Sequence, residues 1–294
     1  MLFRYPGSKS KISEFIVDRI LCYYDIHGYD MEYREPFFGS GSVGMSLMEQ
    51  RGQLKNIWIN DYDVGIASTW SAVISNPDEL CTKTAEFIPT TEDFFSFKET
   101  LLHCPRKIDV DIGFKKMAIH QISFSGLGTM SGGPLGGKSQ ASAYGIACRW
   151  KPLHMQAKIR KANRILSYRN IRNGQCTFYD YSELLKGDGN FFCYLDPPYY
   201  EMGPDLYQCS FTRAKHRKLA ELLKTLEQPW LLSYDDSPYI RKIYDWAEVG
   251  ELSITYSVNT SGTPKSRNKK ELLITSPKFK TLLDDPNREV DLFA

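Results

Sequence analysis

Acidic residues are absent from one long stretch of this chain: between Asp111 and Asp180 lie 68 positions without an Asp or Glu. Also absent are a Cys-x-x-Cys pair, an internal repeat and any apolar run near the ~20 residues that span a bilayer. The longest apolar runs are short, such as Phe191 to Leu195. The seven cysteines (22, 81, 104, 148, 176, 193 and 209) are odd in number and scattered, which excludes a disulfide framework and a zinc knuckle and predicts reduced, mostly buried thiols. The amino terminus, MLFRYPGSKSKI, has no apolar core of a signal peptide, so the cytoplasm is the expected compartment. With 294 residues, 42% hydrophobic and 24% charged, the composition is that of a globular protein with room for a large core and a second module.

The acid-free stretch is rich in cations. It holds eleven: Lys115, Lys116, Lys138, Arg149, Lys151, Lys158, Arg160, Lys161, Arg164, Arg169 and Arg172. With Phe124, Tyr144, Trp150 and Tyr168 interleaved, the pattern fits a surface that tracks phosphates and reaches into a groove. The alternative is a solvated basic face neutralised by acids from elsewhere in the chain. Shorter basic patches at 206–220 and 252–270 could join the same cleft.

Along the chain, apolar strand-like runs at Tyr33–Phe38, Ile57–Asp61, Gln175–Tyr179, Phe191–Asp196, Trp230–Tyr234 and Glu271–Thr275 alternate with helical stretches near 8–24, 42–51, 64–74, 155–167, 181–186 and 213–226. That alternation predicts an α/β fold, a Rossmann-like, mostly parallel sheet with helices on both faces and ligands at the carboxyl ends of the strands. Residues 76–150 break the rhythm. Prolines follow Asn76, Ile88 and Cys104, and Gly126–Gly137 packs six glycines and a proline into twelve positions. The division expected is a core of 1–75 and 151–294 carrying an inserted module, 76–150.

Two motifs point to a ligand. Arg34 to Gly44 (REPFFGSGSVG) reads as a strand, a glycine turn that lets backbone approach a ligand, and a helix start. Asp61 follows Gly41 by twenty residues at the end of the next strand, where an acid can accept from ribose hydroxyls. A nicotinamide dehydrogenase would fit these two features equally well. The segment Asp196-Pro197-Pro198-Tyr199, closing the buried run that begins at Phe191, favours another chemistry. Two prolines without amide hydrogens make a stiff elbow that presents acceptors: the Asp196 carboxylate and the Pro197 carbonyl. A purine amino group, whose lone pair is delocalised, becomes a nucleophile if both acceptors hold it in a pyramidal geometry. Tyr199 is placed to stack on a base rotated out of a helix.

On these motifs, in this order, the chain resembles the Dam-like DNA adenine-N6 methyltransferases. Phe3 to Lys9 (FRYPGSK) looks like their amino-terminal cofactor motif, Tyr179-Asp180-Tyr181 falls where cofactor-adenine contacts lie, and Leu232–Asp235 and Asn268–Leu273 match later elements. The resemblance implies S-adenosylmethionine as cofactor, held by Tyr5, Lys9, Phe38, Gly39, Gly41, Asp61, Asp180 and Tyr181, and catalysis at Asp196, Pro197, Pro198 and Tyr199. It implies double-stranded DNA as partner, with Arg4, Phe124, Ser125, Lys138, Arg267 and Lys269 as contacts and the 76–150 insertion as the target-recognition module. It implies no metal, no membrane and no particular oligomeric state, and it leaves room for a cognate restriction enzyme. One departure stands out: where GATC-methylating members carry Asn-Gly-Leu-x-Arg, this chain has Ser125-Gly126-Leu127-Gly128-Thr129, so no target sequence follows. The competing readings are methylation of adenine in RNA, methylation of a glutamine side chain, and a nucleic-acid-binding regulator that has lost catalysis.

Overall fold

A computed structural model describes residues 2–4, 12–201, 203, 208–258 and 265–280; the side chains of 253–269 and 280 are not described. Of the expected site residues, Tyr5 and Lys9 lie outside the described residues, as do the side chains of Arg267 and Lys269.

One seven-stranded sheet organises the chain, in the order β3-β2-β1-β4-β5-β7-β6. Its strands are β1 (Glu32–Glu35), β2 (Asn56–Ile59), β3 (Asn170–Ile171), β4 (Phe191–Leu195), β5 (Trp230–Asp235), β6 (Glu248–Val258) and β7 (Lys265–Thr275). The first five pair in parallel, while β7 runs antiparallel between β5 and β6. The order runs outward in two directions from β1 and β4, so the topological switch point lies between them and a ligand crevice is expected beyond their carboxyl ends.

Both faces are covered because the buried strands alternate. Phe192 and Tyr194 of β4 join one hydrophobic cluster, and Phe191, Cys193 and Leu195 the other. The first cluster is capped by α1 (Ser13–His27), α2 (Ser42–Gln50), α3 (Val64–Ser75) and α7 (Pro152–Ser167). The second is capped by α8 (Tyr181–Leu184), α9 (Arg213–Thr225) and α10 (Pro238–Ile243).

The region that breaks the sequence rhythm is itself helical: α4 (Pro77–Glu86), α5 (Thr91–His103) and α6 (Val110–Ile122). Pro77 opens α4 at its first turn, where a missing amide hydrogen costs nothing, and Thr90 and Asp93 close a capping box on α5. Phe94, Phe97 and Leu101 of α5 and Phe114, Met117 and Ile119 of α6 are buried in the same cluster as α1, α2 and α3. Gly113 permits the close approach of α6 to α3, since a Cβ there would stand 2.7 Å from the main chain of Ser68. Thr69 Oγ1 donates to the Gly113 carbonyl at 2.8 Å across that contact.

Two strand expectations are corrected. The run Gln175–Tyr179 is not a strand: the ladder lies earlier, at Asn170–Ile171, and only Thr177 bridges to Asn60. Asn173 and Gly174, at φ 60° and 63°, turn the chain between the two. The last strand begins at Lys265, well before Glu271, because the run 265–270, which carries no apolar alternation of its own, pairs with β6.

Candidate active site

The glycine turn after β1 is held from three directions. Gly39 and Gly41 adopt φ of 48° and 70°, a left-handed backbone that side chains disfavour. Trp70 of α3 donates its indole N–H to the Gly39 carbonyl at 2.9 Å and packs so closely on Gly41 that a Cβ would lie 2.7 Å from its ring. The Gly39 amide donates to Asp61 Oδ2 at 2.8 Å, and the Asp63 amide donates to Oδ1 at 2.9 Å. Asn60, buried at the end of β2, stitches the strand ends together. Its side-chain amide donates to the carbonyls of Pro36 at 3.0 Å and Tyr179 at 3.1 Å, and its Oδ1 accepts from the Tyr179 amide.

A cleft open to solvent lies beyond the ends of β1, β2 and β4. Phe38, Gly39, Asp61, Asp180, Tyr181, Asp196 and Pro198 all line it. The structure therefore gathers seven of the expected cofactor and catalytic residues around one space, at the switch point. Gly41 sits just behind, in the turn itself. Phe37, Tyr181 and Phe211 form an aromatic wall, with ring centroids 5.3 to 5.7 Å apart.

The cleft is rich in carboxylates. Glu35, at the end of β1, is fully buried and accepts from Tyr33 Oη at 2.7 Å; burial, with Asp196 nearby, pushes its pKa well above the usual range. Burial, reinforced by the charge of Asp63, pushes Asp61 up to about 7. Burial also opposes ionisation of Asp63, but Lys116, with Nζ at 2.6 Å, outweighs it and holds the carboxyl below its ordinary value. Asp180 caps α8; burial raises its pKa, but hydrogen bonds from Ser182 together with Lys218 and Lys215 bring it below the ordinary value. This lining suits a nucleoside carrying positive charge: acceptors for hydroxyls, an aromatic wall for a base and, in Asp63 and Asp180, ionised carboxylates for a cation.

The elbow after β4 is fixed from β5 and β7. Ser233 Oγ donates to Asp196 Oδ1 at 3.1 Å. Asp235 accepts the amides of Tyr200 and Glu201, both at 2.9 Å, which clamps the chain as it leaves the elbow. Tyr199 is only 2% exposed, and its hydroxyl donates to Glu271 Oε1 at 2.9 Å. Tyr199 is not among the residues that line the cleft. Sequence reading had found the segments holding Ser233, Asp235 and Glu271 without giving any of them a role. Polar residues inside otherwise apolar strands were the available signal.

Three of the six DNA candidates come together at a second locus, and three do not. His120 Nδ1 lies 2.8 Å from the Gly126 carbonyl and 3.3 Å from that of Arg4, joining the amino terminus to the Phe124–Gly126 turn. Both partners are acceptors, so Nδ1 carries the proton. Gly126, at φ 72°, could not carry a Cβ, which would stand 2.8 Å from the Arg4 carbonyl. Arg4, Phe124 and Ser125 thus share one corner, with Phe124 56% exposed and Ser125 at φ 55°. Lys138 is exposed and lies over the Phe95 ring. Arg267 and Lys269 stand opposite Tyr256 and Ile254 in the β6–β7 ladder.

The acid-free stretch does not present eleven available cations. Five are paired with acids outside the run: Lys115 with Asp111, Lys116 with Asp63, Arg160 with Asp78, Lys161 with Glu49 and Arg172 with Glu32. Lys116 is buried outright. Thr129 is also buried and donates to Gln208 on the cleft wall at 2.8 Å.

A glycine turn and strand-end acid on one side of the sheet's switch point, and an acid–diproline elbow on the other, thus border one cleft of an α/β fold. Residues 5–258 match the family described as D12 class N6 adenine-specific DNA methyltransferase, and the chain belongs to that family. A 67-residue stretch is 33% identical to the type II methyltransferase M.CviBI of Paramecium bursaria Chlorella virus NC1A. That alignment covers 23% of this chain and spans about a quarter, 26%, of the relative. Among the described residues no helix is long and apolar enough to cross a membrane.

Proposed function

We propose that the protein is a site-specific methyltransferase that moves a methyl group from S-adenosylmethionine to N6 of an adenine rotated out of duplex DNA. The observation that carries this reading is the single cleft shared by the Gly39 turn, Asp61 and Asp196. When bound, S-adenosylmethionine supplies an electrophilic methyl group. Asp61 accepts the ribose hydroxyls. The Phe38–Gly41 turn, Asp180 and Tyr181 shape the rest of the pocket, and Tyr5 and Lys9 close it from the amino terminus.

Asp196 and the Pro197 carbonyl accept the two N–H groups of the target amine. The lone pair is thereby turned out of the ring and aimed along the line of attack, and the positive charge that develops on nitrogen meets a carboxylate. Pro198 keeps the elbow stiff. Tyr199 stacks on the extruded base in this reading, which requires its ring to be uncovered when DNA binds. The 76–150 segment is the target-recognition module. Arg4, Phe124 and Ser125 at its corner, Lys138, and Arg267 and Lys269 on the hairpin supply the DNA contacts. Such an enzyme works beside DNA in the cytoplasm, where a restriction enzyme of the same specificity would be its counterpart.

Incubating the protein with duplex DNA and methyl-labelled donor, then mapping modified adenines at single-base resolution, tests the proposal. Label at N6 within one short sequence supports it. Label only in RNA, or a band shift without transfer, favours one of the rival readings.

A further inference from the structure

Ser233 is fully buried in the middle of β5, between two apolar neighbours, Leu231 and Leu232, and the buried Tyr234. A hydroxyl at such a position is costly unless bonded. It is bonded on the side of the reaction: Oγ lies 3.1 Å from Asp196 Oδ1, 3.0 Å from Tyr194 Oη and 3.5 Å from the Leu195 carbonyl. A serine hydroxyl has one hydrogen. The ionised carboxylate is the strongest acceptor beside it, ahead of the Tyr194 hydroxyl oxygen and the Leu195 carbonyl, so that hydrogen goes to Asp196. Tyr194, itself buried, must then donate to Ser233 Oγ. The result is a directed chain, Tyr194 to Ser233 to Asp196, that ends on the elbow carboxylate and crosses from β4 to β5 and back. Among the described residues, Glu35 from β1 and Tyr234 from β5 also feel the charge of Asp196, and neither supplies this contact.

We propose that Ser233 is a positioning residue for methyl transfer, holding the Asp196 carboxylate in the orientation that receives the amino group, with Tyr194 as the donor behind it. The inference rests on the methyl-transfer reading of the cleft and deepens it. Ser233 touches neither donor nor base and acts only through Asp196.

The full chain is assayed for transfer to duplex DNA and, separately, for donor binding by calorimetry. The wild type and Asp196→Ala are run first. If the wild type transfers no methyl group, the reading of the function has failed. If it does, Ser233→Ala is expected to lower kcat about 10- to 100-fold, as the loss of a hydrogen bond to a charged group would. Donor Kd and the KM for DNA should stay within about twofold. Ser233→Thr, which keeps the hydroxyl, should recover most of kcat. Tyr194→Phe should lose less, and adding it to Ser233→Ala should change little further, since the chain is already broken. In the Asp196→Ala background, Ser233→Ala should have no effect on residual activity.

A kcat for Ser233→Ala within twofold of wild type would overturn the proposal. So would equal losses in Ser233→Ala and Ser233→Thr, or a loss confined to donor Kd. Should Ser233→Ala fail to fold, Tyr194→Phe decides: a kcat unchanged within twofold, or losses spread over kcat and Kd alike, overturns the directed chain.

Discussion

The carboxyl edge of the sheet and the 76–150 insertion bury their polar groups in opposite ways. At the edge, side chains bond to one another and to the ends of neighbouring strands: Asn60 links β1 and β2 to the Tyr179 turn, and Ser233 and Asp235 link β5 to the elbow after β4. Nearly every member of that lattice faces the cleft or holds a residue that does. In the insertion, helices sink apolar faces into the common core, and a glycine-rich turn is pinned on α6 through His120 and Ser123. Its outward surface carries exposed aromatic rings, Phe95, Phe124 and Tyr144. The edge is built to fix a few atoms relative to each other, the insertion to present a surface from a rigid support. In the function proposed above, chemistry belongs to the first arrangement and recognition to the second.

The largest effect on stability should come where the two regions meet. Gly113→Ala would force a methyl group against the Ser68 main chain, and a loss of about 3 kcal/mol or more is expected in urea unfolding. If the variant unfolds like the wild type, α6 does not pack rigidly on α3 and the insertion is the more independent body. Next, Gly41→Ala and Gly126→Ala form a matched pair, each imposing a left-handed backbone and a close contact, at about 2–3 kcal/mol. Gly41→Ala should weaken donor binding and spare DNA binding, while Gly126→Ala should do the reverse. Equal damage to both ligands from either variant would erase the division of labour.

The histidines offer a third comparison. Burial lowers both His120, under the insertion turn, and His216, beneath Tyr234, to about 4. Each stays neutral in the fold while its unfolded counterpart, near 6.5, takes up a proton. Their contribution is therefore intact above pH 6.5 and lost as pH falls towards 4, by an upper limit of about 3 kcal/mol for His120. His120→Gln should flatten that acid dependence, measured as unfolding midpoints at pH 7.5 and 5. An unchanged slope would show that the imidazole is not the group being protonated.

How far the sequence revealed all this differs between the same two regions. The elbow and the glycine turn were legible because diproline and left-handed glycine leave the backbone few choices, and chain order put both at strand ends. Asp61 was legible by spacing, although its bonds to the Gly39 and Asp63 amides were not. The three helices of the insertion escaped because prolines at 77, 89 and 105 read as interruptions, whereas Pro77 starts a helix. The spacing of Phe94, Phe97 and Leu101 carries the helical period. The basic run misled for an electrostatic reason: absence of acids in sequence says nothing about acids that arrive in space, such as Asp63 beside Lys116. Tyr199 was placed by motif, but the partner that orients it, Glu271, lies 72 residues away.

The smallest effect expected follows from that correction. Lys138→Ala, at an exposed site with no ion pair among the described residues, should reduce the slope of log affinity for DNA against log salt by about one, whereas Lys161→Ala, already paired with Glu49, should leave it unchanged. Equal slopes for the two variants would mean that pairing within the fold does not decide which cations meet the phosphates.

The claim on which everything else depends is that the Asp196 carboxylate, at the end of β4, receives the amino group of an adenine. Nucleoside analysis of duplex DNA after incubation with donor and either wild type or Asp196→Ala tests it most directly. The expected result is N6-methyladenine from the wild type and at least a 1,000-fold slower appearance from the variant, roughly the scale of losing a group that acts in the transition state, with donor binding retained. Methylation at another atom, or comparable rates from the two proteins, would contradict it.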